Sequence, residues 1–325
     1  SNVQPVPIGN SILFCTNKGN ELRELAFDLG RDAFVSTNRS ILSQHLFDGH
    51  KIIKMAYQLN PFGILWCLRD DGVLLTFTYL PEHDVYAWTK QIMGGGGVVK
   101  DICVIPGEYG DDVWAIVARG ARGEKATVER MQNRYFVYDY YHHKAGSVDE
   151  DSRYWVFLDC HSATWSTAFD WNKMWAYLDE QRVTVMFNGE NKGEATIVLK
   201  DGCGYPNSDM TFDWSDSVII GFPYQSNIET LGIEVQTSSG TVTTRPKLIN
   251  TVWVSVKDTK GIKVGPDGNR LTRVPECRED VFTGDARVLM DSGWDQNGHI
   301  YIRQSDPYPM TILAITPQLD LGRPD

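Results

Sequence analysis

The sequence predicts an all-β protein: partial β-propeller-like blades, then an inserted small β-barrel or sandwich domain, then a C-terminal β region. Three observations carry that expectation. Short runs of alternating apolar and polar residues are bounded by Gly, Asp and Asn, as strands and their turns are. No segment sustains a helical period, and helix-tolerant stretches such as 36–47 are short. A strand, turn, strand unit of about 45 residues recurs through the first 131 positions, the size of a propeller blade.

The repeat is read from 52–59 (IIKMAYQL) against 98–105 (VVKDICVI), each two apolar residues, a Lys-containing step and then alternation. Ile64 to Leu68 aligns with Asp112 to Ile116, placing Trp66 on Trp114, and Ser11 to Cys15 aligns with the same strand. Each of these strands leads into a polar turn with glycine: Lys18-Gly19-Asn20, Asp70-Asp71-Gly72, and 120–123. Asp-Gly between alternating runs is a hairpin signal, because tight primed turns need the positive φ that Gly and Asp tolerate. An outer strand at 85–88 completes the second copy. Residues 8–131 therefore hold two and a half to three blades, fewer than the four or more that close a propeller. Gly94 to Gly97 connects two blades; without a following Lys-Ser/Thr and helix it is no phosphate loop.

The chain divides into 1–131 (blades), 132–222 (insert) and 223–325 (a C-terminal region expected to pack back on the blades). In the insert, 182–187 and 194–199 read as a hairpin around a turn at 188–193, with 217–224 closing the small domain. In the last region, 248–256, 286–290, 299–303 and 310–315 are strand-like, separated by turns at 258–261, 265–268 and 295–298.

Composition narrows the function classes. Of 325 residues, 42% are hydrophobic and 22% charged, an ordinary globular balance, and no apolar run approaches the roughly 18 residues of a membrane helix. With 31 basic against 42 acidic residues the net charge is -11, which disfavours a general phosphate-binding surface. The six Cys show no C-x-x-C spacing and are read as reduced, buried small hydrophobes. The start Ser1-Asn2-Val3 reads as an expression remnant on a piece of a longer protein.

Candidate chemistry is sparse. Asp139, His142 and His143 are a possible metal group, but adjacent His side chains on a strand point to opposite faces. Cys160-His161 lacks the convergence from separate elements that a thiol nucleophile needs. The acidic runs 111–112, 149–151 and 279–280 sit in turn-like segments rather than as a facing glycosidase pair. No catalytic, cofactor-binding or metal residue is assigned. Trp155, Trp165, Trp171 and Trp175, with Tyr154 and Tyr177, form an aromatic-rich region that is either a ligand or interface patch or buried packing.

The runs Leu13-Phe14-Cys15-x-x-Lys18-Gly19-Asn20-Glu21-Leu22, Ile64-Leu65-Trp66-Cys67-Leu68-Arg69-x-Asp71-Gly72 and Val128-Glu129-Arg130-Met131 resemble the bacteriophage tail nozzle family, the tail tubular protein B-like "stabilization" proteins. Gly221-x-Pro223-Tyr224, Asp258-Thr259-x-Gly261-x-Lys263-Val264-Gly265, Phe282-Thr283-Gly284-Asp285 and Gln304-Ser305-Asp306-Pro307-x-Pro309-Met310 extend the resemblance over most of the chain apart from about 132–215. It implies a non-enzymatic, ring-forming subunit of a virion tail, six copies around a DNA channel, made in the bacterial cytoplasm. Its implied partners are its own copies, other tail proteins and passing DNA without tight binding; no cofactor and no membrane span are implied. The alternatives are a glycan-binding host-recognition module built on the Trp-rich insert, and, third, a propeller glycoside hydrolase.

Overall fold

The computed structural model describes residues 2–107, 110–119, 125–132, 155–164, 175–207, 218–234, 236–237, 240–241 and 245–322. It is all-β, in two compact units, Ser1–Asn133 and Arg134–Asp325. Asp139, His142, His143, Tyr154, Trp165 and Trp171 lie outside the described residues.

The first unit contains three blade-like antiparallel meanders. β1 (Val6–Ile8), β2 (Ser11–Cys15), β3 (Leu22–Asp28) and β4 (Ala33–Asn38) pair in sequence order. So do β5 (Ile52–Gln58), β6 (Ile64–Arg69), β7 (Leu74–Leu80) and β8 (Val85–Gln91), and then β9 (Val98–Pro106), β10 (Asp111–Arg119) and β11 (Lys125–Arg130). The second blade has a core on each face. Leu65 and Cys67 of β6 pack with Leu13, Leu22, Leu75 and Phe77, whereas Ile64, Trp66 and Leu68 pack with Val99, Ile102, Val113 and Val117. That is why β6 is an unbroken apolar run: alternate residues point to opposite faces, and here both faces are buried. Each fully buried Leu or Phe in these layers contributes about 1.5–3 kcal/mol.

A repeated backbone clasp joins the blades. The Ile52 amide at the start of β5 donates to the Gly19 carbonyl at 2.9 Å, and the Val99 amide of β9 donates to the Gly72 carbonyl at 3.0 Å. Both glycines sit in the β2–β3 and β6–β7 turns with φ of +76° and +82°. A bulge follows Ile52 in one blade and Val99 in the next, which makes these two residues equivalent. The sequence alignment, which matched Lys54 with Lys100, is thus one residue short along this strand. In the structure Lys54 is equivalent to Asp101, and the two form an ion pair at 2.5 Å. A one-residue slip exchanges the faces of a strand, and a shared Lys is too weak a signal to fix it.

The second unit holds a five-stranded antiparallel sheet ordered β12-β16-β13-β14-β15: β12 (Asp159–Thr164), β13 (Arg182–Phe187), β14 (Glu190–Lys200), β15 (Cys203–Asn207) and β16 (Val218–Phe222). The β13–β14 turn is two residues, Asn188-Gly189, both at positive φ, rather than 188–193. Asn-Gly suits such a turn, and the polar residues after it continue the strand through a bulge.

Further along are β17 (Ser226–Glu229), the small hairpin β18 (Gln236–Thr237) and β19 (Gly240–Thr241), β20 (Lys247–Thr259), β21 (Lys263–Gly265), β22 (Thr272–Arg273), β23 (Phe282–Leu289), β24 (Tyr301–Gln304) and β25 (Thr311–Leu321). β20 is flanked by β23 and β25, and β17-β24-β21-β22 form a fourth sheet in sequence of neighbours. The core here gathers Val252, Val254, Val256, Ile262, Val264, Val288 and Ile302. β20 runs through the Asp258-Thr259 step expected as a turn, because a bulge there, with Asp258 at φ +44°, absorbs the extra residue. Within this unit the two sequence regions meet at Tyr308, which packs on Val156, Leu158, Met186 and Ile219 and whose hydroxyl accepts the Asn191 amide at 3.1 Å.

Candidate functional site: an aromatic cleft in the second unit

The residues around Tyr308 form an open depression of about 270 Å³, counted out to the solvent at its mouth. Trp155 and Phe157 line it from the segment before β12, Met186 and Gly189 from the β13–β14 hairpin, Lys260 from just after β20, Val281 from just before β23, and Pro307, Tyr308 and Pro309 from the β24–β25 connection.

Local sequence explains the construction. Two prolines flank Tyr308 and fix their own φ, holding the connection stiff. The Lys260 amide donates to the Pro309 carbonyl at 3.1 Å and the Gly261 amide to the Cys277 carbonyl at 2.6 Å, so the β20 end is pinned on both sides. Gln304 adds a side-chain hydrogen bond to the Lys260 carbonyl. Gly261 is required beside them. Its φ is +80°, and a Cβ there would come within 3.0 Å of the Tyr308 ring.

Lys260 is the charged residue of the lining. Its ammonium lies 4.6 Å from the Tyr308 ring centroid, a cation–π contact that orients it. The nearby carboxylates have partners of their own. Glu190 pairs with Lys192 at 2.6 Å, and that hydrogen bond, with a smaller influence from Lys260, holds its carboxyl below the usual range. Asp306 pairs with Arg273 at 3.2 Å.

Of the aromatic residues the sequence grouped, Trp155 is half-buried in this cleft. Trp175 is not part of a ligand patch: it is 1% exposed and belongs to the core with Leu178, Val183 and Ile197, so no ligand can stack on it. Tyr308, Lys260 and Pro307 were missed as site residues. Their one sequence signal was the Pro-Tyr-Pro step at 307–309. In the Cys160-His161 pair, His161 Nδ1 faces the Leu158 carbonyl at 3.2 Å, and Cys160 sits at φ +48°.

One further polar group was not anticipated. His50, Asp70 and Asp71 of the first unit present ligand-type atoms within 4.8 Å of one another. Arg69 already holds Asp71 in an ion pair, with its Nη1 on the Leu46 carbonyl at 2.6 Å, and Asp70 accepts the Lys51 amide at 3.2 Å. The Arg69 hydrogen bond keeps the Asp71 carboxyl ionised down to about 2. This group fastens the β6–β7 turn to the segment before β5.

No known family profile and no curated protein matches the chain. Among solved structures it is similar to two forms of an exo-beta-1,3-galactanase from Phanerochaete chrysosporium, both with beta-1,3-galactotriose. For one, identity is 8% and the TM-score 0.25 over 97% of this chain and 95% of that one. For the other they are 9% and 0.26 over 97% and 94%. The expectation of a non-enzymatic, ring-forming tail subunit is corrected by these findings: the two similar structures are of a galactanase, nearer the third option, a glycoside hydrolase, and neither is a tail protein. A likeness at this TM-score assigns no activity.

Proposed function

We propose that the second unit recognises a carbohydrate at the Trp155–Tyr308 cleft. The observation that carries this reading is the convergence of Trp155, Phe157 and Tyr308, from distant parts of the sequence, on one shallow depression with a cation at its wall. Sugar rings present flat C–H faces to aromatic rings and hydroxyls to polar groups at the rim. Among the described residues no carboxylate lines the cleft, and its proposed role is one of recognition. Titration of the protein with a broad oligosaccharide panel, followed by tryptophan fluorescence and by NMR, tests it. A saturable change that Trp155→Ala removes, with the far-ultraviolet circular dichroism unchanged, supports the reading; a flat response across the panel overturns it.

A further inference from the structure

We infer that the cleft selects an acidic saccharide, one bearing a carboxylate such as a uronic acid, with Lys260 as its counter-charge; this rests on the carbohydrate reading above. Lys260 is the charged residue lining the cleft, and among the described residues no carboxylate stands within ion-pair distance of its ammonium. Glu190, which feels the Lys260 charge, is paired with Lys192, and Asp306 beside the lining residue Pro307 is paired with Arg273. The cation–π contact with Tyr308 orients the ammonium without cancelling its charge. The Lys260 backbone is fixed to Pro309 and Gln304, so the side chain starts from a pinned position.

The rest of the molecule sharpens the contrast. A chain of net charge -11 repels anions overall, so a local cation biases where an anionic ligand settles. A charge-assisted hydrogen bond is stronger than a neutral one, and a difference of about 1.4 kcal/mol is tenfold in affinity.

The test compares short oligogalacturonates with their methyl esters, which keep the rings and remove the charge, by isothermal titration calorimetry at low and high salt. Glucuronate oligomers and their esters extend the panel. The expected result is binding of the acid form at least tenfold tighter than its ester, weakening with salt, with Lys260→Gln abolishing the difference and Trp155→Ala weakening both forms. Equal affinity for acid and ester, or a preference that survives Lys260→Gln, overturns the selection by charge and leaves carbohydrate recognition standing. Failure of both forms to bind anywhere in the panel overturns both.

Discussion

The Tyr79 hydroxyl of the second blade donates a 2.8 Å hydrogen bond to the Glu24 carboxylate of the first. Glu24 is 6% exposed and also accepts from Ser11 at 2.8 Å and from Arg39 at 2.5 Å. Burial pushes the Glu24 carboxyl up, but the three hydrogen bonds, Tyr79 foremost, outweigh it and leave it below the ordinary 4.5. Tyr79 is raised to about 12, by burial first and by the neighbouring carboxylate after it. The blades are thus tied by a buried charge whose partners come from both.

A depressed carboxyl contributes stability that is present above its unfolded value and lost as pH falls through its folded value. Tyr79→Phe is therefore expected to cost about 1.5–3 kcal/mol at neutral pH, the range for a hydrogen bond to a charged group. The gap from the parent narrows as the pH is taken toward 2 and Glu24 protonates. Urea denaturation of both proteins across that range measures it, and a gap independent of pH would show that Glu24 is not the group concerned.

The blade clasps give an ordered pair of substitutions. Gly19→Ala and Gly72→Ala both place a Cβ on a residue at positive φ, costing about 1–2 kcal/mol from that alone. At Gly72 the new carbon would also lie 2.3 Å from Val98 Cγ1 and 3.0 Å from the Val99 carbonyl oxygen, whereas at Gly19 the nearest atom is Lys51 Cβ at 3.2 Å. Gly72→Ala is expected to lower the melting temperature more than Gly19→Ala; the reverse order would mean that the clasps differ in some other respect.

How much of this was legible depended on whether a signal was local. The apolar run of β6 could be read as a strand, because burial leaves a mark on composition, whereas the turn at Asn188-Gly189 was located but drawn too long, as 188–193, because polar residues after it continue the strand. The register of β9 could not be read, because it is set by the Gly72–Val99 clasp between elements distant in sequence. The cleft was half legible. Trp155 drew notice as one of several aromatics, yet Trp175 of the same group went to the core, and Lys260 and Tyr308 acquire meaning only once β20 and the β24–β25 connection are adjacent.

Arg119 and Glu129 pair across β10 and β11 with side chains 5% and 18% exposed. The guanidinium also donates from Nε to the Gly94 carbonyl at 3.0 Å, which ties the glycine connection to the third blade. Glu129→Ala removes the carboxylate paired with a buried guanidinium and is expected to cost about 3–5 kcal/mol. The double variant Arg119→Met, Glu129→Leu removes both charges and should lose less than the sum of the singles. A double-mutant cycle in urea measures the coupling, and strict additivity would refute a buried pair.

Gly261 links stability to the cleft. Alanine there meets two penalties, a left-handed backbone at φ +80° and a Cβ within 3.0 Å of the Tyr308 ring, with the Gln304 amide next nearest at 3.4 Å. The Tyr308 hydroxyl is held by the Asn191 amide and its ring by Lys260, so the ring cannot withdraw without loosening both contacts. Gly261→Ala is thus expected to destabilise the protein by about 1–3 kcal/mol, the range for a strained backbone residue, and to weaken saccharide binding at temperatures where it remains folded. Tyr308→Phe is the complementary case: it removes only the acceptor for Asn191, costs about 0.5–1.5 kcal/mol, and leaves the aromatic face in place. Calorimetric titration well below each melting temperature separates the two, with binding reduced for Gly261→Ala and nearly retained for Tyr308→Phe. Equal binding by both variants would place the ligand away from the Tyr308 ring.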